Sequence, residues 1–370
     1  MPRKRPQAEA GRFETAAGAG RDDAKSSRAS SAKGSGRRTG GGNGGRRPRS
    51  APRVLVIYKK SAYQVYACER KDARMLALLE AGHPAVSRLR SAHEHHVRTM
   101  AEAKALLSGF GAKAVFRYRS DAQTADSFDL VATLGGDGTL LWASHFVGPS
   151  CPILAINTAP GHSVGFLCAG TREHLHELLS GALTGSLEQT RLTRMQVDID
   201  GRTVCRRVLN DALFSHECPA ATTRYLLRLR EIEEEHWSSG IWVGPAAGST
   251  AALRAAGGRV LPLSSKRLQF VVREPYDNDG EGYRLTKGLV APSEELRICS
   301  KVRAGRLYLD GPRRVHAIQL GSEISVKRST EPLILLGYQN RAGASRSRAH
   351  AKPRAPQELA TEELATPEPE

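Results

Sequence analysis

Apolar residues fall into short continuous runs in the first half of the folded chain and into alternating runs in the second. RVLVIYKK, beginning at Arg53, reads as a strand. AKAVFRYR (112–119), FDLVATL (128–134) and PILAIN (152–157) read as three more. Between the first two, Lys71 to about Leu107 has a helical pattern. Met75, Leu76 and Leu79, then Val97, Met100, Ala101 and Ala105, share one face, with an interruption at Gly82-His83-Pro84. A second helical stretch follows the glycines at 135–138, and TREHLHELLSGAL (171–183) predicts a third. Strands alternating with helices imply a mostly parallel sheet in an α/β domain. From Leu187 the texture changes to short strand-like runs such as MQVDID, YLLRLREI, QFVVRE and RLYLDGP, punctuated by DG, GR and NDG turns. That pattern predicts an antiparallel, β-rich domain of the sandwich type.

Composition narrows the function classes. The chain has 370 residues and a net charge of +17. Residues 1–53 carry fourteen Lys/Arg against four Asp/Glu, and residues 341–370 carry five of each, so the segment between them keeps only +7. That charge suits a protein handling anionic small molecules; it does not demand nucleic acid. Both flanks lack the apolar surface to offset the entropy of ordering and are expected to be disordered. Only the basic arm (1–52) offers loose attraction to nucleic acid or another polyanion, and a solubilising tail fits it equally. No apolar run is long enough for a membrane span, and no apolar segment follows the basic N-terminus as in a secretory signal. The six cysteines (68, 151, 168, 205, 218 and 299) show no CxxC pair, which favours reduced thiols in a cytoplasmic setting.

The stretch LVATLGGDGTLLWASH (130–145) carries the candidate chemistry. It lacks the lysine of a P-loop and the GxGxxG of a dinucleotide fingerprint. What remains is a strand, a glycine turn and a helix N-terminus, placed at the C-terminal end of a strand where open α/β sheets bind ligands. Bare glycines let backbone N–H groups approach phosphate oxygens, and the helix dipole favours the anion. An aspartate there opposes phosphate unless it has its own task. It can hold a divalent ion that bridges the phosphates, or take a proton from an attacking hydroxyl. Both belong to phosphoryl transfer; an Asp-Gly turn capping the helix is the plain alternative.

GGDGT after an apolar strand resembles the signature shared by NAD kinases, by diacylglycerol and sphingosine lipid kinases, and more distantly by phosphofructokinases. Three further blocks resemble NAD kinases alone: ILAINTAPGHSVGFL (153–167), VLNDALFSH (208–216) and SSGIWVGPAAGSTAALRAAGGRVLPL (238–263), with YLDGP and EPLILLGY closing the chain. The chain is therefore identified as a member of the NAD kinase family, with a look of the plant-type NADH kinase branch. It departs from the family in a longer loop after Asn157, in Asp211 for the usual glutamate, in Ser239 for an aspartate and in Ala252 for a tyrosine.

The resemblance implies a Rossmann-like, phosphofructokinase-like domain at 53–170, a dinucleotide-binding β-rich domain at 171–330, and a strand at 331–340 that returns to the first. It implies transfer of the ATP γ-phosphate to the 2′-hydroxyl of the adenosine ribose of NAD or NADH, with Mg²⁺ or another divalent cation accompanying ATP. Asp137 is the expected general base. Gly135, Gly136, Gly138 and Thr139 are expected at the donor phosphates and ribose, and Asn157 at a ribose or in a turn of its own. Asn210, Asp211, Gly248, Ser249, Thr250 and Ala251 are expected around the dinucleotide. A homo-oligomer is also implied. The rivals are a lipid kinase, which accounts for the first block only, and a non-catalytic NAD-binding regulator. The run His93-Glu94-His95-His96 lacks HExxH spacing and reads as a solvated helix face.

Overall fold

The first sheet is built from the apolar runs. In the computed structural model, strands β1 (Arg53–Tyr58), β2 (Lys113–Tyr118), β3 (Leu130–Gly135) and β4 (Pro152–Asn157) pair in parallel in the order β2-β1-β3-β4. A short strand β5 (Gly170–Thr171) pairs with the end of β4. Strand Leu333–Leu336 lies parallel beside β4, and β6 (Gln189–Leu192) closes that edge antiparallel to it. The structure describes residues 51–121, 124–276, 280 and 282–338; the two flanks expected to be disordered lie outside these residues, apart from 51–52. All the described residues fall in a single contact-dense unit.

Burial explains the strand patterns. Every side chain of β3 is buried, as a central parallel strand covered on both faces requires. On one face, α2 (Leu89–Gly109) and α4 (Leu175–Thr184) cover Val54, Val56, Leu130 and Leu154. On the other, α3 (Asp137–Ser144) packs Leu140 and Ala143 against Leu55, Ile57, Val131 and Ile153. The long helical pattern after β1 divides into α1 (Ala73–Glu80) and α2, because the chain turns at Gly82, whose φ is +61°. A π-helical turn at Tyr63–Glu69 precedes them, a feature the spacing did not indicate. The helix expected at 171–183 starts as a 3₁₀ turn and ends at Gly185, a left-handed C-cap with φ +76°.

The β-rich part forms two six-stranded, largely antiparallel sheets. Their facing sides share one core in which Phe214 of one sheet meets Tyr225 of the other edge-on, with ring centroids 5.8 Å apart. The expected α/β plus antiparallel β-rich architecture is observed. Residues Leu209 and Ala247 from the β-rich part join the core under α3, so the GGDGT helix packs on both sheet systems.

Candidate active site

Three small residues shape the turn after β3. Gly136 is extended (φ −122°, ψ −166°) and caps α3, which begins at Asp137. A Cβ on Gly135 would fall 2.1 Å from Thr139 Oγ1, and one on Gly136 would fall 2.8 Å from Ser163 Oγ. Neither position tolerates a side chain without moving its neighbour. Gly138 faces open space. The Asp137 carboxylate is half-buried, and each oxygen accepts one backbone N–H at 2.8 Å: Oδ2 from Phe166 and Oδ1 from Leu167. Two such bonds fix the direction of the carboxylate and leave lone pairs on both oxygens. The Thr139 hydroxyl is turned back against Gly135 and is buried without a hydrogen-bond partner among the described residues.

Asn157 is the register partner of Gly135 on the neighbouring strand. Its amide is occupied by its own loop. Oδ1 accepts from Ala159 N–H (3.1 Å) and from Ser163 Oγ (2.9 Å), and Nδ2 donates to the Ser163 carbonyl (3.1 Å). Gly165 has φ +60° and a Cβ there would lie 2.4 Å from Asn157 Nδ2, so the loop needs glycine on both counts. Asn157 thus shapes the loop that delivers the Phe166 and Leu167 N–H groups to Asp137.

The histidine run differs from the solvated face its pattern suggested. His96 is buried and its Nδ1 lies 2.9 Å from Thr158 Oγ1, while His93 Nδ1 lies 2.9 Å from Ser61 Oγ. Only Glu94 and His95 are exposed. Burial, with Lys59 close by, pushes the His96 imidazole down to about 4, so it is neutral near pH 7. The N-terminal turns of α2 therefore support the Asn157 loop.

The β-rich part brings the other two blocks together. A Cβ on Gly248 would lie 1.6 Å from the Asn210 carbonyl oxygen, so the turn Ala246–Thr250 sits directly on the Asn210 backbone. Ser249 is buried and satisfied within that turn: Oγ donates to the Ala246 carbonyl (2.7 Å) and accepts from Leu261 N–H (2.9 Å). Thr250 is half-buried and Ala251 exposed. Asn210 Nδ2 donates to Asp211 Oδ2 at 2.7 Å. Burial, reinforced by the Asp310 charge, pushes the Asp211 carboxyl up to about 7.

Three residues with no role assigned from sequence hold this arrangement: Asp310, His145 and Arg194. Asp310 accepts backbone N–H groups from Leu209 (3.0 Å), Asn210 (2.6 Å) and Asp211 (3.2 Å). Its Oδ2 also lies 2.8 Å from His145 Nε2, at ion-pair distance but off hydrogen-bond alignment. Burial pulls the His145 imidazole down, and the Asp310 and Cys205 contacts raise it by more, for a net increase. His145 directly follows the last turn of α3, so this contact joins the GGDGT helix to the Asn210–Asp211 block. Arg194, fully buried, adds a second link. Its guanidinium donates to the carbonyls of Ser144 (2.8 Å), Val147 (2.9 Å), Glu331 (2.6 Å) and Pro332 (3.2 Å). The only sequence signals were Asp310-Gly311 in a turn and one arginine between two strands, neither of which marks a partner distant in sequence.

Comparison with known proteins fits this geometry. Residues 54–187 match the family model described as the ATP-NAD kinase N-terminal domain. A probable NADH kinase of Oryza sativa subsp. japonica is 37% identical over 227 residues, spanning 56% of this chain and 70% of that protein. This chain belongs to the NAD kinase family. An NADH kinase of Arabidopsis thaliana is 33% identical over 242 residues, covering 60% of this family member and 76% of the relative. Among solved structures, an NAD kinase from Archaeoglobus fulgidus in complex with ATP superposes with a TM-score of 0.58 at 19% identity. The match covers 80% of this chain and 98% of that one. Yeast NADH kinase complexed with NADH gives the same TM-score at 16% identity, over 82% and 89% of the two chains.

Proposed function

We propose that this NAD kinase family member transfers the γ-phosphate of ATP to the 2′-hydroxyl of the adenosine ribose of NAD or NADH, giving NADP(H). The observation that carries the reading is Asp137: a carboxylate aimed by two backbone N–H groups at the start of a helix, beside the open backbone of Gly138. The named activities of its relatives support the same reaction.

In this reading the ribose oxygen bonds to the γ-phosphorus as the bond to the β,γ-bridging oxygen breaks, and ADP leaves. Asp137 takes the hydroxyl proton; alternatively it would hold the divalent ion that accompanies the donor, and the proton would pass to water. A carboxylate is a weak base, so positioning and electrostatics supply most of the rate. Gly135, Gly136 and Gly138 keep the first turn of α3 bare for phosphate. Thr139 supports that turn from within, and Asn157 supports the neighbouring loop. Asn210, Asp211, Thr250 and Ala251 face the dinucleotide, with Gly248 and Ser249 shaping their turn. Among the described residues no group of three or more His, Cys, Asp or Glu is placed to hold a metal.

A cytoplasmic homo-oligomer belongs to the same reading. The six free cysteines support the compartment, and the family resemblance supports the assembly. Among the described residues no helix is long and apolar enough to cross a membrane. The test is direct. Purified protein is incubated with ATP, Mg²⁺ and either NAD or NADH, and NADP(H) is measured. Absence of product with both acceptors refutes the reading.

A further inference from the structure

A cavity of about 270 Å³ opens beside α3. Its wall includes Gly138 and Trp142 of α3, and its charge comes from Arg119, Arg313 and Arg314. Arg119 follows the end of β2. Arg313 lies in the turn of the hairpin that carries Asp310, and Arg314 begins its return strand. Seven other arginines (172, 207, 224, 228, 230, 297 and 306) make ion pairs with carboxylates. Among the described residues none of these three does. The Nε atoms of Arg119 and Arg314 are buried with no acceptor.

The three cations are held together against their mutual repulsion. Burial, and then the Arg313 charge, keep the Arg119 guanidinium below its ordinary range. Trp142 is the scaffold. Its indole N–H donates to the Arg119 carbonyl, and the Arg313 and Arg314 guanidiniums lie 5.6 and 5.9 Å from its ring centroid. Arg314 also lies 5.8 Å from the Phe146 ring. One carboxylate, Asp310, reaches the wall, but three backbone N–H groups and His145 already surround it. Arg119 also has a side-chain hydrogen bond with Tyr118. Three guanidiniums without a carboxylate partner, gathered in one cavity, favour a ligand with several negative charges and many oxygens. Arginine forks match phosphate in particular. The cavity is at or below the usual size for a whole small-molecule ligand, so it suits a phosphate chain better than a nucleoside. Gly138, the residue after Asp137, lines it.

We propose that Arg119, Arg313 and Arg314, with the backbone of Gly138, seat the phosphate chain of the phosphoryl donor. The assignment deepens the kinase reading and rests on it for the word donor. The ligand chemistry, a condensed phosphate chain, is shared by ATP and inorganic polyphosphate.

The test uses the full chain with Arg313→Gln, whose side chain is exposed, and the double variant Arg119→Gln/Arg314→Gln. Binding of inorganic tripolyphosphate is measured by calorimetry, and KM for ATP, for polyphosphate and for NAD(H) by NADP(H) formation. Loss of one charge-assisted contact is expected to weaken tripolyphosphate binding and raise the donor KM by about tenfold. KM for NAD(H) should stay within about twofold, since no uniform acceptor binding is lost. A rise confined to ATP or to polyphosphate assigns the seat to that donor. If tripolyphosphate does not bind the parent protein, or if Arg313→Gln folds and keeps both its affinity and its donor KM, the seat is refuted while the kinase activity stands. If the parent makes no NADP(H) but the variants lose tripolyphosphate, the kinase reading fails and the phosphate seat stands. Should the double variant not fold, Arg313→Gln decides alone.

Discussion

Replacing Asp310 by Asn tests how the two halves of the site are joined. The carboxylate receives the N–H groups of Leu209, Asn210 and Asp211 and lies against His145. Asparagine keeps one oxygen for these donors but removes the charge, and its NH₂ replaces an acceptor with a donor. Each of the three backbone bonds falls from the charge-assisted to the neutral range, a loss of about 1 kcal/mol each, or about 3 kcal/mol together. For a folded region of this size that lowers Tm by roughly 5 °C.

The effect should depend on pH, with a definite sign. Asp211 and His145 both have folded-state pKa values raised above their ordinary ones. Each therefore contributes stability at low pH that is lost as pH rises through its folded value. For Asp211 the loss runs from about 3.8 to about 7, and for His145 it runs upward from 6.5. Asp310 is a cause of both shifts, so Asp310→Asn flattens both. The variant should lose more stability, relative to the parent, at pH 6 than at pH 8.5. Denaturant unfolding at the two values checks this, and KM for NAD(H) reports the loosened Asn210–Asp211 turn. A cost under about 1 kcal/mol, or a larger cost at the higher pH, refutes the reasoning.

Three further outcomes are expected. Asp137→Asn should keep the fold and lower turnover by about a hundredfold or more, as NADP(H) formation under saturating substrates will show; full activity would remove both the base and the metal-anchor roles. Gly248→Ala places a methyl 1.6 Å from the Asn210 carbonyl oxygen, and the required backbone shift should cost about 3 kcal/mol, read as a lower unfolding midpoint. Arg194→Met removes the donor from four carbonyls at the C-terminal end of α3 and near Glu331 and should destabilise by about 3–5 kcal/mol. An unchanged melting curve would mean that water or local rearrangement satisfies those carbonyls.

Much of the first sheet was legible because β3 and β4 are continuous apolar runs bounded by glycine or proline, and their edges match those runs within two residues. The division of α1 from α2 followed from Gly82-His83-Pro84. The histidine run was misread because hydrophobic spacing does not register a polar residue buried against a polar partner, as His96 is against Thr158. Asn157 showed the opposite limit. Its type and place at a strand end fitted a ligand contact and a turn equally, and only its three loop hydrogen bonds show how its amide is used.

The sequence by itself determined the periodicities, and with them the parallel α/β sheet followed by an antiparallel β-rich region. It also determined the bare turn that carries Asp137, since glycine is chemically distinct wherever the backbone must come close. These are local properties, set by side-chain spacing and backbone freedom over a few residues. Tertiary structure alone decided which distant groups meet: Asp137 with Phe166 and Leu167, Gly248 with Asn210, His145 with Asp310, and the arginines at 119, 313 and 314 around Trp142. Such contacts depend on strand order and on how the β-rich part closes over α3. Long-range pairing of charges and hydrogen bonds leaves no periodic trace in a single chain.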